Sequence, residues 1–212
     1  MRADYFSRMF FCSLVATSFI FLFSCNNDTS KSEVVTDTTK VTTLDTTMPN
    51  TPIKMDTMPV LIVKHGEAAL SGTYTDTLVE GTVKFDTVSG SRVKMMLDIK
   101  IPSKAGKIVS VHIHEHGDCS DNGNMAHAHW NPSNAEHGKW GTTSFHAGDI
   151  GNVKLNAQGK GTLTLITNLW TVGGSSDKNI LGKSIIVHGA MDDYKTQPGG
   201  NSGTRIGCGV IK

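Results

Sequence analysis

Val93-Lys94-Met95-Met96-Leu97-Asp98-Ile99-Lys100-Ile101 is the stretch that decides the fold. Val93, Met95, Leu97, Ile99 and Ile101 occupy alternate positions, with Lys94, Asp98 and Lys100 between them. Successive side chains of a strand point to opposite faces, so the stretch predicts a strand with one buried and one wet face. Working outward, short apolar runs at 61–63, 81–85, 109–113, 153–155, 162–166, 185–187 and 205–211 read the same way. Turn chemistry separates them, as in Val88-Ser89-Gly90-Ser91 and Asn156-Ala157-Gln158-Gly159. No segment carries a long stripe of helical period. The chain is therefore expected to be all-β, a sandwich or a barrel. Residues 65–78 carry no readable motif and stand as an insertion. Two longer irregular stretches, 115–149 and 189–204, are expected to be functional loops, because structureless loops of that length are uncommon in a compact domain.

The N-terminus reads differently. Arg2 and Arg8 precede an apolar run from Met9 to Phe23, too short to span a bilayer comfortably and typical of a signal segment. It ends Leu22-Phe23-Ser24-Cys25, which resembles a bacterial lipobox; processing there would leave Cys25 lipidated. Residues 1–25 are thus expected to be a signal peptide with a lipobox. Residues 26–58 are expected to be a disordered linker rich in Thr, Asp and Ser, since they offer too little apolar surface to offset ordering. Asp-Thr pairs recur there and just beyond, for example Asp45-Thr46 and Asp56-Thr57. They resemble an O-glycosylation sequon and read equally well as low-complexity tether. Without residues 1–25 the chain carries 18 Lys+Arg and 18 Asp+Glu. There is no basic block and no aromatic-basic interleaving, so nucleic acid is excluded as a partner. Cys119 and Cys208 remain in the domain at 59–212, and two cysteines in an exported domain more often pair than stay free.

Six histidines and an aspartate carry the chemistry: His112, His114, His129, His137, His146, Asp149 and His188. His112 and His114 alternate on a strand, so both imidazoles can reach one metal. Imidazole suits copper and zinc alike. Four histidines suit tetragonal copper, and three histidines with one carboxylate suit tetrahedral zinc. Seven ligands make two four-coordinate sites only if one is shared. His129, in the middle of the set, is the natural bridge, since two nearby dications favour loss of its second ring proton.

The chain resembles the copper/zinc superoxide dismutases over about residues 78–212. The resemblance rests on His112-Ile-His114-Glu-His116-Gly117-Asp118-Cys119, His129-Trp130-Asn131-Pro132, His137-Gly138 and His146-Ala-Gly-Asp149-Ile-Gly151-Asn152. Val187-His188, Asp192-Asp193 and Gly203-Thr-Arg205-Ile-Gly-Cys208-Gly209-Val210 complete it. It implies a flattened eight-stranded Greek-key β-barrel or sandwich with two long functional loops. It also implies one copper and one zinc per subunit, superoxide as substrate, and dioxygen and hydrogen peroxide as products.

By that resemblance His112, His114, His129 and His188 would bind copper, and His129, His137, His146 and Asp149 would bind zinc. Asp192 would bond the outer nitrogens of one copper and one zinc histidine. Arg205 would attract the anion, and His129 would bridge the metals and pass a proton. Cys119 and Cys208 would form the disulfide. Taken with the leader, this describes an exported lipoprotein, anchored to membrane through Cys25, with a homodimer left open. His116 and His127 are alternatives to His112 and His129 in register, but Gly117-Asp118-Cys119 and Asn131-Pro132 fit only the earlier assignment. His65, His116 and His127 read as solvated surface histidines. The rival functions are a metal carrier on the same fold and a structural lipoprotein that uses metal only to fold. Retention of every ligand together with Arg205 favours the enzyme.

Overall fold

The computed structural model describes residues 64–212. The signal segment, Cys25, the linker, most of the Asp-Thr pairs and the apolar run at 61–63 lie outside the described residues. Among the described residues no helix is long and apolar enough to cross a membrane.

Eight strands form: β1 (His65–Gly72), β2 (Glu80–Val88), β3 (Arg92–Lys100), β4 (Ile108–His114), β5 (Gly151–Lys154), β6 (Lys160–Thr167), β7 (Ser184–His188) and β8 (Arg205–Val210). All their pairings are antiparallel, in the spatial order β5-β4-β7-β8-β1-β2-β3-β6. The end strands β5 and β6 approach each other, so the sheet nearly closes into a barrel. The chain leaves β3 for β4 and β6 for β7 by crossing between distant strands, the long returns of a Greek key.

The Val93–Ile101 expectation holds in detail. Val93, Met95, Leu97 and Ile99 are buried in the barrel interior, and β3 alternates with its polar face outward. There Phe85 packs edge-on against Trp170, with ring centroids 5.8 Å apart. β4, β7 and β8 break the alternation. Val109, Val111 and Ile113 of β4 fill the interior, yet Ser110, His112 and His114 on the other face are also buried. β7 is buried at every position. A sheet face sealed on both sides needs a cover. Here the cover is the connection after β4 and the one after β7, so polar residues on the outer face of β4 sit under loops.

One sequence expectation needs correction. Residues 65–72 are not an insertion but strand β1, which pairs with β2 along its length and with β8 at Ser71 and Gly72. Its inward residues are Ala68 and Leu70, too few and too small to give a clear apolar rhythm. A third long connection, 168–183, also has structure that was not foreseen: it delivers fully buried Trp170, whose Nε1–H donates to Ala147 O at 2.8 Å.

Candidate metal centre

The site grows from the outer face of β4. Register pairs His112 with Ile186, His114 with Ser184 and Ser110 with His188 across β4 and β7. His112, His114 and His188 therefore project to the same side. Between β7 and β8 the register shifts at Val187/His188, so that His188 faces Arg205. Such a bulge re-aims a side chain at the cost of local ladder pairing. It brings the guanidinium to the histidine face while Ile206 stays in the core.

The loop after β4 returns to it at one point. Ile113 O accepts from Trp130 N at 2.9 Å, Trp130 O from Gly148 N at 3.0 Å, and Gly148 O from Ile113 N at 2.9 Å. This small ladder sets His129 beside His114 and holds 146–149 below it. Gly148 is obligatory there, because a Cβ would overlap Ile113 O.

Two groups of donors result. His112, His114, His129 and His188 form one, and His129, His137, His146 and Asp149 form the other; within each, the donor atoms lie within 4.8 Å of one another and every residue is buried. His129 belongs to both. Its Nδ1 lies 2.9 Å from Asp149 Oδ1, which leaves Nε2 for the first group. His137 Nδ1 is 2.9 Å from Asp149 Oδ2, and His146 Nδ1 is 3.2 Å from Oδ1. Neither of these two approaches has hydrogen-bond geometry, and both nitrogens are buried without a hydrogen-bond partner, as is His112 Nδ1. A buried polar atom without a partner costs about 1–3 kcal/mol. Such atoms mark a place for a cation, His137 and His146 Nδ1 in the group round Asp149 and His112 Nδ1 in the all-histidine group. A tetrahedral shell with bonds of about 2.0 Å has donor–donor edges of about 3.3 Å, close to the spacings round Asp149. The donor set fits a tetragonal all-imidazole site beside a tetrahedral three-imidazole, one-carboxylate site.

In the all-histidine group, protonation agrees with ligation. Burial holds His112 down to about 4, against the opposing hydrogen bond it donates to Asp192. Burial, reinforced by neighbouring imidazoles, holds His114 and His188 well below the ordinary value. These rings are neutral at neutral pH, the form that binds metal. Burial opposes ionisation of Asp149, but the hydrogen bonds it accepts from His129 and the His146 backbone, with the close His137 and His146 rings, override it and keep the carboxylate charged. Burial lowers His137 too, but the hydrogen bond to Asp192 and the close carboxylates of Asp149 and Asp192 outweigh it and raise it to about 9, so this ring gives up a proton when a metal binds.

The outer nitrogens are held as well. His112 Nε2 and His137 Nε2 each lie 3.0 Å from one oxygen of Asp192. Asp192 is clamped by Asn152, which donates Nδ2–H to Asp192 O at 2.9 Å and accepts from Asp192 N at 2.8 Å. Gly200, at φ +67, lies against this pair; a Cβ there would overlap both the carboxylate and the His137 ring. Gln197 accepts from His137 N at 2.8 Å and donates to His137 O at 2.9 Å. Asn152 lay in a quoted motif without a role. Gln197 and Gly200 gave no local signal at all, because their partners are remote in sequence.

Arg205 is fixed by two carbonyls: Nη1 donates to Gly123 O at 2.7 Å and Nη2 to His127 O at 2.6 Å. Those carbonyls lie in the 3₁₀ segment Asp121–Ala126 and just after it. Cys119, which precedes it, is disulfide-bonded to Cys208 of β8. Arg205, His114, His129 and His188 line a cavity of about 630 Å³, in which Arg205 is the one fixed cation among the lining residues.

An antiparallel barrel with two histidine groups sharing one ring defines a class of binuclear metalloprotein, and the comparisons narrow it. The copper/zinc superoxide dismutase family model matches residues 79–211. The chain is 36% identical over 139 residues to the Cu-Zn superoxide dismutase of Paramecium bursaria Chlorella virus 1, covering 63% of this chain and 72% of the relative. It is 32% identical over 139 residues to Cu-Zn superoxide dismutase 5 of Dictyostelium discoideum, covering 63% and 90%. A solved SOD-like protein from Bacillus subtilis, in double-mutant form, superposes with a TM-score of 0.61 at 31% identity, over 68% of this chain and 95% of the other. The chain belongs to the copper/zinc superoxide dismutase family. With the family come the enzyme class, superoxide dismutase, and its cofactors, copper and zinc.

Proposed function

We propose that this chain dismutes superoxide at a copper and a zinc ion bridged by His129, outside the cytoplasm. His112, His114, His129 and His188 would hold copper, and His129, His137, His146 and Asp149 would hold zinc. The single observation that carries the assignment is the sharing of His129 between an all-histidine group and an aspartate-containing one. Copper supplies the one-electron change that takes an electron from one superoxide and returns it to the next, while zinc supplies a fixed dication.

The rest is the work of side chains. Arg205 is half-buried, and although burial lowers its proton affinity, a guanidinium stays charged in proteins. It is placed to draw an anion into the cavity and orient it beside His129 and His188. His129 reaches both the cavity and Asp149, so it is the group placed to hold a proton and give it to the reduced oxygen species. Asp192 positions rather than reacts, fixing the orientation of His112 and His137 through their outer nitrogens.

The Cys119–Cys208 disulfide supports export, because such bonds persist in oxidising compartments. The leader and Ser24-Cys25 support a lipid anchor at Cys25, with residues 26–58 as tether.

The purified protein, loaded and analysed for metal on the same sample, should show fast, cyanide-sensitive dismutation at one copper and one zinc per chain. Both metals bound with no activity would overturn the enzyme reading in favour of a carrier.

A further inference from the structure

His137 is held differently from the other donors of the metal centre. His112, His114 and His188 sit on strands whose ladders fix their main chains. His129 is bracketed by two bonds, from Glu115 N to Ala128 O at 3.1 Å and from Trp130 N to Ile113 O at 2.9 Å. His146 and Asp149 hold each other: His146 N donates to Asp149 Oδ2 at 2.8 Å, and Asp149 N to His146 O at 3.0 Å. His137 lies in the irregular stretch between β4 and β5, and among the described residues its main chain makes no backbone–backbone hydrogen bond. Both its N–H and its C=O go instead to one side chain, that of Gln197.

A primary amide suits this task, because its oxygen accepts while its nitrogen donates. Gln197 Oε1 accepts from His137 N at 2.8 Å, and Nε2 donates to His137 O at 2.9 Å, much as a neighbouring strand would. The flipped amide would set donor against donor and acceptor against acceptor. The residue so held is 4% exposed, and buried peptide groups left without partners are costly.

The segment that presents Gln197 is closed on itself. Asp193 Oδ1 accepts from Lys195 N at 2.9 Å and from Thr196 N at 2.8 Å, while Oδ2 accepts from Thr196 Oγ1 at 2.6 Å. Thr196 O accepts from Gly200 N at 2.7 Å, and Gly200 O from Asp193 N at 2.8 Å. Gln197 therefore reaches His137 from a fixed turn of the other loop, 60 residues away in sequence. It also lines the cavity that Arg205 lines.

We propose that Gln197 is a positioning residue for His137, fixing its peptide so that Nδ1 faces Asp149 and Nε2 faces Asp192. Metal retention in the Asp149 group then depends on the 189–204 connection, which rests on the reading that this group holds zinc. Gln197 offers no donor atom to the ion and takes no part in the reaction. Its effect passes through the main chain of one donor, so the all-histidine group keeps its copper when Gln197 is lost.

Three variants of the full chain test this. Gln197→Met keeps the side-chain length, excludes water and removes both bonds. Gln197→Glu keeps an acceptor and loses the donor. Thr196→Val breaks the bond to Asp193 without touching His137, and so reports what mere loosening of the loop does. In metal-free protein the His137 amide hydrogen should exchange about tenfold faster in Gln197→Met than in the wild type, and at about the wild-type rate in Thr196→Val. In protein holding one copper and one zinc per chain, zinc retention against a chelator should fall about 10–100-fold in Gln197→Met and less in Gln197→Glu, with copper content unchanged. Cobalt(II) put in place of zinc should show altered visible bands in Gln197→Met, because the ligand geometry changes. Wild-type retention in Gln197→Met, or an equal loss in Thr196→Val, would overturn the proposal. A wild type that takes up no zinc at the Asp149 group would refute the zinc reading instead. The amide exchange needs no metal and would still decide the role of Gln197.

Discussion

Replacing both Cys119 and Cys208 with alanine should destabilise the domain by about 4–5 kcal/mol and loosen the arginine. The bond joins residues 89 apart in sequence. In the chain-entropy treatment, closing a loop of that length removes about 4.6 kcal/mol of freedom from the unfolded state at 25 °C. Native disulfides lost from other small domains cost about 2–5 kcal/mol, so the expectation sits at the upper end. Packing adds to it, because Cys208 is buried with Ala126 and Ile186, and Cys119 lies against them. The assay is urea unfolding of the metal-free protein and the metal-free variant, since metal bound to the native state would add its own linkage. The same variant, reloaded, should show a lower kcat/KM. The segment that follows Cys119 supplies the two carbonyls on Arg205, and releasing one anchor lets that segment move. A variant within about 1 kcal/mol of the wild type would refute the loop-closure reasoning. Lost stability with unchanged kcat/KM would refute the link to Arg205.

Asp192→Ala should weaken metal retention by about 10–100-fold, because it leaves His112 Nε2 and His137 Nε2 buried without partners; chelator competition measures it, and unchanged affinity would sink the positioning role. His188→Ala removes one donor of the all-histidine group, so copper content should fall while zinc content and the β-sheet circular dichroism signal persist; equal loss of both metals would show that the two groups are not separable. His65 is the pH-sensitive surface group: its hydrogen bond to Asp86, opposed by slight burial and aided by the Asp86 and Glu67 charges, raises its pKa above 6.5. A raised folded pKa contributes stability in full below the unfolded value and loses it as pH rises through the folded one. His65→Gln should therefore cost under about 1 kcal/mol at pH below the unfolded value of 6.5, a cost that fades as pH rises through the raised folded value, given the exposure of the pair. A penalty that grows with pH would contradict the sign.

Seven of the eight strands could be read from sequence, most of them because their inward faces carry Val, Ile, Leu, Met or Phe at period two; β8 turns Gly207 and Gly209 inward and showed only as part of an apolar run. β1 could not, since between Gly66 and Ser71 its inward side offers only Ala68 and Leu70. What makes it a strand is pairing with β2 and with β8, more than a hundred residues on. The donors of the metal centre were legible for a different reason: His112 and His114 alternate on one strand, and the motifs around all seven donors carry the family resemblance, four of them in the loop after β4. The structure brings all seven together, with Asp192 and Arg205 beside them. The supports were hidden because each depends on a contact remote in sequence. The bulge that turns Arg205 toward His188 is a register shift between strands. Gly200 matters only because Asp192 and His137 lie against it. His127, read as a solvated surface residue, is exposed as expected, but its backbone carbonyl reaches inward to two residues of the site.

The arrangement of the barrel explains why so much depends on loops. A closed antiparallel sheet offers an interior, which here is filled by apolar side chains, and an exterior, which elsewhere in this fold is wet. Chemistry needing neutral, buried histidines fits neither surface. The interior would leave no access for an anion, and the open exterior would hydrate and protonate the rings. Covering the outer face of β4, β7 and β8 with loops creates a third environment, dry enough to depress the histidines yet open at one mouth. Its cover must be rigid, because a sliding loop would move the donors by more than a metal–ligand bond tolerates. That requirement accounts for the concentration of fixings in the cover: the disulfide, the Ile113–Trp130–Gly148 ladder and the Asn152–Asp192 clamp. Each ties a loop that carries site residues to a strand that cannot move.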